Sequence, residues 1–228
     1  MTMRILIINP NTTASMTETI AMAAAKVASP GTTILAVNPE EGPASIQGPE
    51  DGEAALPGLF AVFDRYMSVE DRFDAVIIAC FDDTGLGELR ARSSVPVTGI
   101  GEAAYLLAAE TAAPFSVVTT LPVSIPVLEH NIKSYGLLTQ CARVRASEIP
   151  VLDLEHHPEQ ALARIGTEIA EALEADQCRS IVLGCAGMAD MALILENTYS
   201  VPVVEGVSAA VAWCEREVAA RLANTDTI

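Results

Sequence analysis

A chain of 228 residues, 50% of them hydrophobic, can bury a core without disulfides or metal staples. Its 30 acidic side chains against 13 basic ones give a net charge of −17, which repels phosphate backbones and anionic membrane surfaces, so neither nucleic acid nor membrane is an expected partner. Five cysteines, an odd number with no Cys-x-x-Cys pair, point to free thiols and a reducing, cytoplasmic setting rather than a disulfide framework.

The apolar runs are far shorter than the roughly 20 residues that span a bilayer. Met1-Thr2-Met3-Arg4 leads into one that soon meets Pro10, which argues against a secretory leader. Arg4 to Ile8 reads as a buried strand and ends in the turn Asn9-Pro10-Asn11-Thr12-Thr13. Ser15-x-x-Glu18 fits a capping box, and Met16, Ile20, Met22, Ala23 and Val27 continue at helical spacing until Pro30-Gly31. The turn therefore lies at a strand's C-terminal end, where open α/β sheets bind ligands. Asn9 and Asn11 are either ordinary turn formers or binding groups.

Thr33 to Val37 predicts a second strand. Asn38 to Gly52, with three prolines and three glycines, is the longest stretch without periodicity, and its segment from Gly42 through Ser45 and Ile46 to Gly48 can cover a pocket over the first turn. Helical spacing returns from about Glu53 to Met67. The run Asp74 to Ala79 then delivers Cys80, followed by Phe81-Asp82-Asp83-Thr84-Gly85. A helix over Asp83 to Ala91, a strand over Val95 to Thr98 and a helix over Glu102 to Thr111 complete four βα units.

The order then repeats. Phe115 to Thr119 reads as strand, Val123 to Tyr135 as helix, Ala142 to Ile149 as strand and Pro158 to Leu173 as helix. Arg179 to Gly184 is a strand that delivers Cys185, with a helix, the strand Val201 to Val204 and a last helix to about Leu222 behind it. Val95-Pro96-Val97 with Ala103-Ala104 is echoed by Val201-Pro202-Val203 with Ala209-Ala210. A half-chain repeat of alternating strands and helices implies an α/β fold of two pseudosymmetric doubly wound lobes, each with a mainly parallel four-stranded sheet. The expected division is residues 1–98 plus 207–228 for the first lobe and 99–206 for the second. Packed about a pseudo-twofold, the lobes would enclose a cleft walled by one thiol on either side.

Cys141, Cys178 and Cys214 read as small buried hydrophobes. Cys80 and Cys185 each stand where a strand gives way to a helix, whose first N–H groups can lower a thiol pKa, while Asp82, Asp83 and Asp190 push the other way. Two thiols on opposite faces of a carbon acid suit stereoinversion, one removing a proton and the other supplying one. Asn9, Asn11, Thr119, Thr120 and the amides from Gly184 to Gly187 are suitable donors for the enolate-like charge. Gly99-x-Gly101-x-x-Ala104 matches a loose dinucleotide fingerprint but lacks the acidic residue about 20 positions on, and reads as an ordinary strand-to-helix turn. His156-His157 lacks a third ligand nearby, so no metal site is expected. There is no phosphate loop and no nucleophile elbow, and no histidine lies near a strand end to support a Cys–His hydrolase.

Ile7-Ile8-Asn9-Pro10-Asn11-Thr12-Thr13, Ile78-Ala79-Cys80-Phe81-Asp82-Asp83, Val117-Val118-Thr119-Thr120-Leu121-Pro122 and Ile181-Val182-Leu183-Gly184-Cys185-Ala186-Gly187-Met188 together resemble the hydantoin/allantoin racemases of the aspartate/glutamate racemase superfamily. The resemblance covers nearly the whole chain. It implies cofactor-independent racemisation at C5 of 5-substituted hydantoins or allantoin, a small cyclic ureide as partner, and a homo-oligomer. Cys80 and Cys185 would be the catalytic pair; Asn9, Asn11, Thr12, Ser45, Ile46, Phe81, Thr119, Thr120, Gly184, Ala186 and Gly187 would hold the substrate. Thr84 departs from the proline that pattern carries. Alternatives are maleate isomerase-like or decarboxylase chemistry on the same fold, or a small-ligand binding protein without catalysis.

Overall fold

The computed structural model describes residues 2–68 and 73–225. Residues 1, 69–72 and 226–228 of the expected first lobe lie outside that range. Among the described residues, the first sheet is built from β1 (Met3–Ile8), β2 (Thr32–Val37), β3 (Ala75–Ile78) and β4 (Val97–Gly99), in the order β2-β1-β3-β4. The second is built from β5 (Phe115–Thr119), β6 (Cys141–Ala146), β7 (Ser180–Gly184) and β8 (Val203–Glu205), in the equivalent order β6-β5-β7-β8. Every pairing is parallel. The half-chain repeat is therefore a structural repeat, with β1 and β3 corresponding to β5 and β7.

The helices follow the strands: α1 (Ala14–Val27), α2 (Pro49–Met67), α3 (Leu86–Arg92), α4 (Ile100–Ala112), α5 (Ile125–Ser134), α6 (Asp153–His156), α7 (Pro158–Ala175), α8 (Ala192–Tyr199) and α9 (Gly206–Thr225). They cover both faces of each sheet, which is why the strands read as continuous apolar runs. Alternate residues of β1 take opposite sides: Leu6 and Ile8 pack with Val76 and Ile78 under α2 and α3, whereas Ile5 and Ile7 join Ala75, Ile77, Phe115, Val117 and Val182 in a core that runs between the lobes. A third cluster packs Val118, Ile181 and Leu183 against α7 and α8. Truncating a fully buried isoleucine such as Ile77 to alanine would cost about 2–5 kcal/mol.

Helices α4 and α9 meet at the centre. A Cβ on Gly206 would stand 2.6 Å from the Ile100 carbonyl oxygen, so the two helices can start against each other only with glycine there. This contact joins equivalent places in the two halves of the repeat.

Several boundaries depart from expectation for local reasons. Thr13, not Ser15, precedes α1, and the Ser15 hydroxyl donates to Glu155 across the cleft instead of closing a capping box. Helix α2 starts at Pro49, with Glu50 and Asp51 in its first turn, positions that suit a proline and acidic side chains. Helix α3 starts only at Leu86, because Asp83 (φ 52) and Gly85 (φ 69) turn the chain first. After β5, the 3-10 turn Pro122–Ser124 precedes α5, and after β7 the 3-10 turn Ala186–Met191 precedes α8.

Candidate active site

The register of the strands assembles the site. Ile8 pairs with Ile78, and Ala79 donates its N–H to the Ile8 carbonyl, so the Asn9 turn and Cys80 leave the first sheet side by side. In the second sheet Thr119 pairs with Gly184, which brings Thr120 next to Cys185. Gly184 is required there, since a Cβ would stand 2.8 Å from that of Thr119.

One enclosed cavity, about 40 Å³ for atom centres, receives all of these segments. Of the residues expected from sequence, Cys80, Cys185, Asn9, Asn11, Ile46, Phe81, Thr119, Thr120, Gly184, Ala186 and Gly187 line it. Thr12 and Ser45 do not. Thr12 donates its N–H and hydroxyl to the Pro43 carbonyl, and thus ties the covering loop to the first turn. Thr13 holds the same loop through the Ala44 carbonyl. Ile46 reaches the cavity while the Gln47 side-chain oxygen accepts the Val151 N–H, so the Asn38–Gly52 loop is fastened to the opposite lobe.

The structure adds Met16, Ile20, Ala79, Asp82, Ser124 and Val151 to the lining. Met16 and Ile20 stand four residues apart on α1 and read in sequence as an ordinary apolar face. Val151 and Ser124 come from segments with no chemical signature. Asp82 stood out only as a charge near Cys80.

Asn9 is not the free donor that the sequence suggests. Its amide N–H groups go to Asn11 Oδ1 at 2.9 Å and Thr17 Oγ1 at 3.0 Å, and its oxygen accepts the Asn11 N–H. Asn11 caps the turn by accepting the Thr13 N–H and gives one N–H to Met16 Sδ. Thr119 donates to the Gly184 carbonyl. The hydroxyls of Thr120 and Ser124, both buried, have no protein partner among the described residues. Those two are the donors open to a ligand.

Both cysteine side chains are half-buried, and burial pushes both thiols up. Cys185 is raised to about 11 by burial and the Asp82 charge, against the Gly187 N–H, which favours its thiolate. Cys80 is raised further by burial, Asp82 and Asp83; the Thr84 hydroxyl, 3.4 Å from its sulphur, and the Asp82 N–H pull the other way. The helix-terminus lowering considered from sequence is outweighed at both sites. At Cys80 no helix starts until α3, six residues on.

The two aspartates after Cys80 have different duties. Asp83 accepts the Gly101 N–H at 3.0 Å, the Glu102 N–H at 2.8 Å and the Tyr135 hydroxyl at 2.8 Å. Its carboxylate thereby fills the Gly99-x-Gly101 turn, where a dinucleotide phosphate would have to sit, and confirms that turn as structural. In the other half Glu205 accepts the Val207 and Ser208 N–H groups at the start of α9. Asp82 has no hydrogen bond to its carboxylate among the described residues, lines the cavity, and is raised to about 7 by burial.

No histidine lines the cavity; His130, His156 and His157 are exposed. Cys178 and Cys214 are buried as expected, whereas Cys141 is half-buried beside a surface groove with Glu129 and Lys133. Among the described residues, no helix is long and apolar enough to cross a membrane.

The family model described as Asp/Glu/Hydantoin racemase matches residues 5–214. A hydantoin racemase from Rhizobium meliloti is 41% identical over 223 residues, 98% of this chain and 92% of that protein. Among solved structures, allantoin racemase from Klebsiella pneumoniae superimposes with a TM-score of 0.92 at 43% identity, covering 96% of this chain and 88% of that one. Allantoin racemase from Pseudomonas fluorescens gives 0.90 at 43% identity, covering 97% and 92%.

Proposed function

The chain belongs to the Asp/Glu/hydantoin racemase family, and from that premise we propose that it is a cofactor-independent racemase inverting C5 of a 5-substituted hydantoin or allantoin. The observation that carries this reading is that two cysteines from equivalent strand ends of opposite lobes line one cavity. A thiolate on one side takes the C5 proton. The electron pair delocalises into the neighbouring ring carbonyl, and the thiol on the other side delivers a proton to the opposite face. The roles exchange for the mirror-image substrate.

Positioned proton transfer of this kind contributes about 10²- to 10⁴-fold. The Thr120 and Ser124 hydroxyls supply hydrogen bonds to the developing oxyanion, where one such donor contributes about 10²- to 10³-fold. Because the ring carbonyl itself stabilises the carbanion, the chemistry calls for neither an imine-forming cofactor nor a metal. The covering loop, through Ile46 and the Gln47 link to Val151, keeps water from the reacting carbon.

The test is a panel of optically pure allantoin and 5-substituted hydantoins followed by polarimetry. Loss of rotation faster than the spontaneous rate in at least one member is the expected result. A panel that keeps its rotation throughout would overturn the proposal.

A further inference from the structure

The two halves of the cavity are built alike except at one position. Two residues beyond Cys185 stands Gly187, where a Cβ would already press on Leu154 at 2.9 Å. Two residues beyond Cys80 stands Asp82, whose carboxylate bears on both Cys80 and Cys185. A charge felt by both sulphurs lies beside the carbon that they grip. It is also without a protein partner, although the neighbouring Asp83 carboxylate holds three donors. A desolvated carboxylate is stable only with donors to accept, and those donors must come with the ligand.

Substrate chemistry says which donors. The stereocentre of the ring carries a carbonyl carbon, the ring nitrogen N1 and the first atom of the substituent. A carboxylate repels the carbonyl oxygen as it gains charge, so it faces the N–H side. In a hydantoin with a carbon-linked substituent that side offers one N–H. When the substituent is a ureido group, as in allantoin, the same carbon carries two N–H groups, which match the two oxygens of one carboxylate.

Resting on the racemase reading above, we propose that Asp82 is a specificity-determining residue whose carboxylate accepts N–H bonds from ring N1 and from a nitrogen-linked substituent, so that the preferred substrates are ureido-substituted rather than alkyl- or aryl-substituted hydantoins. A substrate that leaves one oxygen of a buried carboxylate unpaired is disfavoured, since such sites reject analogues lacking the expected donor. The bound N–H groups also draw off part of the negative field that Asp82 places on both thiols, so the correct substrate eases formation of the thiolate that attacks it.

The experiment compares kcat/KM for optically pure allantoin and 5-benzylhydantoin in the wild-type protein and in Asp82→Asn and Asp82→Leu, each checked by thermal melting. A hydrogen bond to a charged group is worth about 1.5–3 kcal/mol, so the allantoin to benzylhydantoin ratio should fall about tenfold or more in both variants. An altered thiol environment alone would move both substrates together and leave the ratio in place. A ratio unchanged within about threefold, with both substrates still turned over, overturns the assignment of Asp82 and leaves the racemase reading intact. A wild-type protein that turns over neither substrate defeats the racemase reading itself. Should both variants unfold, the wild-type protein decides: 1-methylallantoin, lacking the N1 proton, should be a much poorer substrate than 3-methylallantoin, and equal turnover of the two would refute the proposal.

Discussion

Asp82 and Gly187 hold equivalent places two residues beyond the paired cysteines, and the backbone N–H of each favours the thiolate of its own cysteine. Only Asp82 adds a side chain, and its charge opposes ionisation of both thiols. The site is symmetric in backbone and asymmetric in electrostatics.

The first consequence is a pH dependence. Cys185 titrates near 11 and Cys80 higher, so deprotonation of either is favoured by rising pH and begins with Cys185. Iodoacetamide alkylation, followed residue by residue by mass spectrometry, should accelerate from pH 7 to pH 10 and label Cys185 first. Fast labelling of Cys80 at neutral pH would contradict this order.

Thr84 stands where the resembling sequences carry proline, and its hydroxyl is 3.4 Å from the Cys80 sulphur. Losing that donor raises the Cys80 pKa. Thr84→Val should shift the alkaline limb of Cys80 alkylation to higher pH and lower kcat by about fivefold or more, and Thr84→Ser should restore both. An unaltered profile in Thr84→Val would remove the hydroxyl from the account.

Asp83 fastens the turn after Cys80 to the start of α4 and to Tyr135, despite its positive φ. Asp83→Asn puts an NH₂ or a weaker acceptor against two buried N–H groups. It should destabilise the protein by about 2–3 kcal/mol in urea titration. A midpoint equal to that of the wild type would show that the turn does not need the carboxylate.

Gln47 is the link between the covering loop and Val151. Gln47→Ala should raise KM several-fold, about one hydrogen bond's worth, with little change in kcat, because the loop shapes the cavity rather than the chemistry. A fall in kcat at unchanged KM would assign the loop a different role.

The strands were legible in the sequence because each of β1, β3, β5 and β7 is buried on both faces and reads as an uninterrupted apolar run. Their repetition gave the two lobes, and the sulphur after each third strand gave the position of the cavity. Less legible was whatever depended on distant partners. Ser15 looks like a cap in its own helix but is taken by Glu155, 140 residues away. Asn9 looks like a free donor, yet Thr17 and Asn11 use both of its N–H groups. The α3 boundary was hidden because Asp83 adopts a left-handed conformation that only its contacts with α4 and Tyr135 sustain. Thr12 and Ser45 lie close to the cavity in sequence logic, but Thr12 spends itself on the loop, and Ile46 is the loop residue that reaches in.

The most direct test of the paired-thiol account is racemisation in deuterium oxide with the wild type, Cys80→Ser and Cys185→Ser. The wild type should place deuterium at C5 of the inverted product before it enters the recovered starting enantiomer, since one sulphur removes the proton and the other delivers the solvent-derived one. Each single variant should lose at least about a hundredfold of two-way racemisation. Racemisation of both enantiomers near the wild-type rate in either variant would contradict it.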